Sequence, residues 1–178
     1  MNRSKLWGKF YRLNNYYHKN VESLINFLIP KEATVIEFGS RGGEILKSLK
    51  NKQKQGVEFS DALVSKSKKI YSISNPEIFK KKKYDYILLS HTLAEIDNVQ
   101  DFLKKIKKIS HEETKIVFFY FNYLWKPFLD IAEKLGLKLP QQEPNWLTKQ
   151  DIDNFFYLEG FDSVKSGRKF IIPYNIPF

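Results

Sequence analysis

The stretch that most restricts the fold is VIEFGSRGGEIL, residues 35–46. An apolar run of strand length passes through an acid, Glu37, into a glycine cluster, after which Ile45, Leu46 and Leu49 recur at helical spacing. A strand that turns tightly through glycine into a helix opens a βα unit, and such a unit calls for a second strand parallel to the first.

The same alternation continues along the chain. QGVEFS reads as a second strand, DALVSKSKKI as a helix and IYSIS as a short third strand. YDYILLS is a fourth, and its unbroken apolar centre predicts burial on both faces. Val99, Phe102, Leu103, Ile106 and Ile109 mark an amphipathic helix, KIVFFYF a fifth strand, and KPFLDIAEKLGL a helix ended near Gly136. Upstream, Val21, Leu24, Ile25 and Leu28 share a helical face that Pro30 closes. Downstream, Thr148 and Asp151 form a capping box for KQDIDNFFYLE, which Gly160 ends. DSVKSGRKFII is either one long strand or a hairpin turning at Ser166-Gly167.

Together these elements predict an α/β, Rossmann-like fold: a mostly parallel twisted sheet of six or seven strands with helices on both faces. The 178 residues suit one domain, with a helical segment over 1–30 and a core over 31–178 that lacks an evident last strand. The longest apolar runs fall well short of the roughly 18 residues that cross a bilayer. The basic N-terminus MNRSKLWGKFYRL has no continuous apolar stretch, so no secretory signal is expected. No cysteine is present, which excludes disulfides and cysteine-ligated zinc and fits a cytoplasmic protein. His18, His91 and His111 stand far apart, so no metal site is expected.

Net charge is +10, unevenly spread. Residues 45–83 hold eleven lysines against Glu58, Asp61 and Glu77. Such a patch suits nucleic acid or an anionic membrane surface, although a solvated face is the commoner meaning and is preferred here.

In open parallel sheets ligands sit at the carboxyl ends of the strands, where the 35–46 loop lies. Gly39 ends the first strand, and Gly42 and Gly43 allow close backbone approach. Glu58 follows Gly39 by nineteen residues and ends the second strand, where an acid commonly accepts hydrogen bonds from ribose hydroxyls. Arg41 occupies the position of the middle glycine of a dinucleotide loop, and a large side chain there obstructs a pyrophosphate. A nucleoside cofactor without phosphates is less demanding. The alternative is a loop that only turns the chain, with Glu58 a solvated strand end.

TVIEFGSRGGEILKSLK, GVEFSDALVSKSKK and YDYILLSHTLAEIDNVQDFLKKIKKI resemble, in order and spacing, the core motifs of class I S-adenosylmethionine-dependent methyltransferases. NNYYHKN, FNYLWKPFLDIAEKLGLKLPQ and NWLTKQDIDNFFYLEGFDSVKSGRKFIIP extend the resemblance to a bacterial subgroup often linked to glycosyltransferases, over roughly residues 12–175. It implies seven strands and S-adenosylmethionine as cofactor, with Glu37, Gly39, Ser40 and Gly43 lining the methionine part. Glu58 would hold the ribose hydroxyls, Phe59 would lie beside the adenine, and Ser90 and His91 near the sulfonium. The chain departs from the pattern at Arg41, at Ser74-Asn75 where an acid often follows the third strand, and after residue 172.

For methyl transfer to a hydroxyl, His91 is the candidate base. Tyr17 and His18 are candidates to cover the cofactor, and Asn122, Tyr123 and Trp125 to shape an acceptor pocket. The acceptor expected is a small molecule or a glycan- or lipid-linked group. A non-catalytic methyltransferase-like binding module is the second reading, and a nucleic-acid methyltransferase the third.

Overall fold

The computed structural model describes residues 11–12, 14–59, 70–80, 82–90, 92–120, 126–136 and 147–167. Their regular elements are, in order, α1 (Asn15–Leu28), β1 (Val35–Phe38), α2 (Glu44–Ser48), β2 (Lys54–Glu58), β3 (Ile70–Ser72) and β4 (Tyr86–Ser90). Then follow α3 (Val99–Lys108), β5 (Lys115–Phe119), α4 (Lys126–Lys134) and α5 (Lys149–Leu158). Short 3-10 turns at Pro76–Phe79 and Thr92–Glu95 bracket β4. The helix expected at DALVSKSKKI lies outside the described residues.

All strand pairs are parallel, in the order β3-β2-β1-β4-β5. β1 is therefore central, and the chain reverses its direction of winding between β3 and β4. Ile36, Phe38, Ile87 and Leu89 face a core built with Phe102, Leu103 and Ile106 of α3 and Ile152 and Phe156 of α5. Val35 and Leu88 face the opposite way, onto Val21 and Ile25 of α1 and Leu46 of α2. The sheet is thus covered on both sides, and Ile87, Leu88 and Leu89 are fully buried as the unbroken apolar run predicts.

Two boundaries differ from expectation for local reasons. α1 starts at Asn15, six residues ahead of the apolar repeat, and ends at Leu28 because Ile29, preceding Pro30, is extended. α2 starts at Glu44 rather than near Gly42, because Gly43 takes φ 75°, outside the helical region. Five strands are present among the described residues, not six or seven. Phe161–Gly167 forms no strand: Phe161 packs on Phe156 with ring centroids 5.9 Å apart, while the residues after it are exposed, Val164 by 90%. The rest of DSVKSGRKFII lies outside the described residues.

The capping box of α5 is present: Thr148 Oγ1 accepts from Asp151 N–H at 3.2 Å and Thr148 N–H donates to the Asp151 carboxylate at 2.8 Å. Thr148→Ala is expected to cost about 1 kcal/mol. In thermal unfolding this should lower Tm by roughly 2–4 °C; an unchanged Tm would mean that packing of Ile152 and Phe156 alone holds the helix.

Candidate active site

The site grows out of the carboxyl ends of β1 and β4, neighbours at the switch in winding, where an open α/β sheet leaves a crevice. Side chains alternate along a strand, so Glu37 points to the α1 face, like Val35. Ser90, two residues beyond Leu88, points the same way, and its hydroxyl lies 3.2 Å from Glu37 Oε1. Tyr17, His18 and Val21 of α1 come down on this pair, with Tyr11 ahead of the helix. They enclose, with Gly39, Ser40, Arg41, Glu44 and Ile45, a cavity of about 40 Å³.

Glu37 is the most constrained group in this cavity. It is 1% exposed, and its Oε2 has no hydrogen-bond partner. Burial pushes its carboxyl up to about 7, the Ser90 hydroxyl offsetting part of the shift and the neighbouring Glu44 and Glu58 adding to it. A buried acid with one oxygen left without a partner is suited to receive a cationic or hydrogen-donating ligand.

After Phe38 the chain turns at Gly39, φ 75°, with Gly39 and Ser40 N–H both donating to Val57 O at 2.8 and 3.1 Å. A Cβ on Gly39 would lie 2.8 Å from Thr92 Oγ1, which itself donates to Phe38 O at 2.7 Å. Arg41 takes φ 49°, the one positive φ outside glycine among the described residues. For an L-residue this left-handed conformation costs about 1–2 kcal/mol. The Arg41 N–H donates to Glu58 Oε2, and Glu58 Oε1 accepts from Phe59 N–H at 2.9 Å. Glu58, 2% exposed, is therefore no solvated strand end; it braces the loop from β2.

The α1 side is aromatic and dry. Tyr11 stacks on His18 with ring centroids 4.0 Å apart, and the Tyr11 hydroxyl donates to Glu22. Burial lowers His18 to about 4, the charge of Arg41 contributing, so its imidazole is neutral at pH 7. Burial also raises Tyr17 to about 12, the Arg41 charge opposing.

Of the residues expected from sequence, Glu37, Gly39, Ser40, Ser90, Tyr17 and His18 border this one cavity. Gly43 and Glu58 stand behind it, in the loop turn and its brace. Phe59 packs against Phe102, 6.0 Å between centroids, on the other face of the sheet. His91, Asn122, Tyr123 and Trp125 lie outside the described residues. Glu44 lies in the 35–46 stretch but sequence assigns it no role there, and Tyr11, outside every motif, arrives through packing. Several lysines of the 45–83 patch lie away from the cavity, although Lys47 Nζ donates to Gly42 O of the glycine loop at 3.2 Å. Lys54 donates to Leu49 O and Lys83 to Ser110 O at 2.7 Å, while Lys82 lies 5.2 Å from the Tyr84 ring centroid, all at the amino ends of the strands. Among the described residues no group of acids and histidines could hold a metal, and no helix is long and apolar enough to cross a membrane.

Sheet order, a glycine turn after the central strand and buried acids ending β1 and β2 define a nucleoside-cofactor-binding α/β protein of methyltransferase type. The chain belongs to the methyltransferase-domain family, whose model matches residues 12–166. Solved structures agree on the fold. A Thermotoga maritima S-adenosylmethionine-dependent methyltransferase, described as a possible histamine N-methyltransferase, superposes with TM-score 0.70 at 16% identity, over 88% of this chain and 77% of that one. Magnesium protoporphyrin IX methyltransferase from Synechocystis, with bound S-adenosylhomocysteine, gives 0.66 at 13% identity over 93% and 88%. A putative methyltransferase of Haloferax volcanii, in complex with the Trm112 activator, gives 0.71 at 12% over 100% and 84%. No curated protein matches.

Proposed function

We propose that this enzyme transfers a methyl group from S-adenosylmethionine to a small-molecule or glycan- or lipid-linked acceptor. The observation that carries the reading is the unpartnered Oε2 of buried Glu37, turned into a cavity that Ser90 and the Gly39 turn also border. The α-ammonium of a methionyl group is the kind of donor that this oxygen lacks. Glu58 fits the adenosyl end: it closes β2 beside the glycine loop, where an acid commonly accepts from ribose hydroxyls, and its carboxylate is held by the Arg41 and Phe59 backbone N–H groups.

When bound, the cofactor supplies a methyl group already activated by its sulfonium for in-line displacement. The chain's own part is to position and to exclude water. Glu37 and Glu58 fix the two ends of the ligand, and Tyr17 and His18 close the crevice from α1. Neutral His18 can accept a proton or a hydrogen bond at pH 7. His91 directly follows Ser90 in the sequence, and we assign it the base that removes the acceptor proton. Asn122, Tyr123 and Trp125, after β5, are assigned to the acceptor pocket. The acceptor class rests on the resemblance of the C-terminal motifs. A cytoplasmic setting accords with the lack of cysteine. A nucleic-acid or membrane role for the lysines is not favoured, since a solvated face is the commoner meaning of such a run.

One observation favours the non-catalytic reading. A cavity of about 40 Å³ is far smaller than the roughly 300 Å³ or more of ordinary ligand pockets. Binding therefore requires Tyr11, Tyr17 and His18 to move outward. Calorimetric titration with S-adenosylmethionine and S-adenosylhomocysteine decides between the two. Micromolar affinity, about −8 kcal/mol, is expected for the wild type. Glu58→Ala should weaken it by about 100-fold or more, as two hydrogen bonds to a charged group are removed. Folded wild-type protein that binds neither ligand would leave a fold without its cofactor.

A further inference from the structure

We infer that Arg41 is the anchor for the carboxylate of the cofactor's methionyl end, a role supplied here from the glycine loop itself. The inference rests on the cofactor reading above. Three observations carry it.

The first is conformational. Arg41 is held at φ 49°, where glycine would sit without strain, so the loop tolerates this side chain against its own backbone preference. The second is placement. The Arg41 N–H is tied to the carboxylate of Glu58, which is 2% exposed, so the base of the side chain is fixed at the rim. From there the side chain borders the same cavity as Tyr17 and His18, both of which feel its charge.

The third is charge pattern. The cavity walls carry two acids, Glu37 and Glu44, and one cation, Arg41. The guanidinium's charge reaches Tyr17 and His18 of α1, which places it toward the α1 side of the cavity. A carboxylate receiving an ammonium and, across a gap, a guanidinium receiving a carboxylate is the complement of an α-amino acid zwitterion. Guanidinium pairs with carboxylate through two parallel hydrogen bonds, which a lysine could not reproduce.

The test compares S-adenosylhomocysteine with its decarboxylated analogue, 5′-deoxy-5′-(3-aminopropylthio)adenosine, which keeps the amine and loses only the carboxylate. Both are titrated calorimetrically into wild type, Arg41→Gly, Arg41→Gln and Arg41→Lys, each checked for folding by thermal melting. Wild type should prefer S-adenosylhomocysteine by about 10- to 100-fold. In Arg41→Gly and Arg41→Gln that preference should fall to near one, with affinity for the analogue little changed, and Arg41→Lys should restore part of it. A preference that survives in both neutral variants, or an equal loss for both ligands, overturns the assignment while leaving the cofactor reading intact. Failure of wild type to bind either ligand overturns the cofactor reading itself.

Discussion

Glu37→Gln should make the protein more stable at pH 8 and a poorer binder of its cofactor. The carboxyl is raised from 4.5 to about 7 chiefly by burial, so the folded state keeps a proton that the unfolded state has already lost. Stability then falls as pH rises from about 4.5, and the loss is complete a little above 7. A shift of this size corresponds to about 3 kcal/mol across that window. Glutamine resembles the protonated acid and cannot ionise, so the variant should lack this slope. At pH 8 its Tm should exceed that of the wild type by roughly 6–12 °C, with the two converging below pH 5. Parallel stability curves across pH 4–8 would sink the claim that Glu37 is buried with one oxygen left without a partner.

Binding should change in the opposite sense. A buried carboxylate facing an ammonium is worth far more than an amide in the same place, and a loss of about 100-fold is expected for S-adenosylhomocysteine. For the wild type, affinity should also fall roughly five- to tenfold from pH 7.4 to pH 6, as Glu37 takes up a proton that the ligand must displace. The site thus holds a destabilising charge that Ser90 offsets in part and that a cationic ligand would offset further, a common arrangement where function and stability conflict.

How far the sequence revealed this site follows from what each residue encodes. Strands β1 and β4 were legible because VIEF and YILLS are unbroken apolar or buried runs, and burial on both faces leaves no other reading of them. Glu58 was legible by its distance from Gly39, since one βα unit sets that spacing. Its second task, bracing the loop through the Arg41 N–H, was not. That bond depends on a backbone turn that no side-chain pattern specifies. Arg41 looked like an obstruction because a large side chain there blocks a pyrophosphate; its left-handed backbone, φ 49°, is not written in any side-chain pattern. Tyr11 reaches the cavity only through its stack on His18, a contact set by how α1 seats on the sheet. Val164 looks like a strand residue but is 90% exposed, because burial depends on neighbours that its own sequence does not specify.

Gly39→Ala should be the most damaging single methyl in the loop. The new Cβ meets Thr92 Oγ1 at 2.8 Å and Ser90 O at 3.5 Å, and φ 75° is strained for alanine. Thr92 is 1% exposed and its hydroxyl serves Phe38 O, so it cannot yield without breaking a buried hydrogen bond. Left-handed strain of about 1–2 kcal/mol and a displaced buried hydroxyl of about 1–3 kcal/mol together suggest a loss of roughly 2–4 kcal/mol. Tm should then drop by roughly 5–15 °C. Thr92→Ala separates the two causes, because removing Oγ1 takes away the clash but not the strain. If Gly39→Ala costs as much in that background as in the wild type, the contact with Thr92 contributes nothing. Arg41→Gly, two residues on, should leave Tm unchanged or raise it. Two of the three positive-φ positions of one loop then respond with opposite signs, because position 39 faces β4 and the Thr92 hydroxyl while position 41 opens onto the cavity. A Tm for Gly39→Ala within about 2 °C of the wild type, less than 1 kcal/mol in a chain of this size, would show the turn to be as permissive at 39 as at 41.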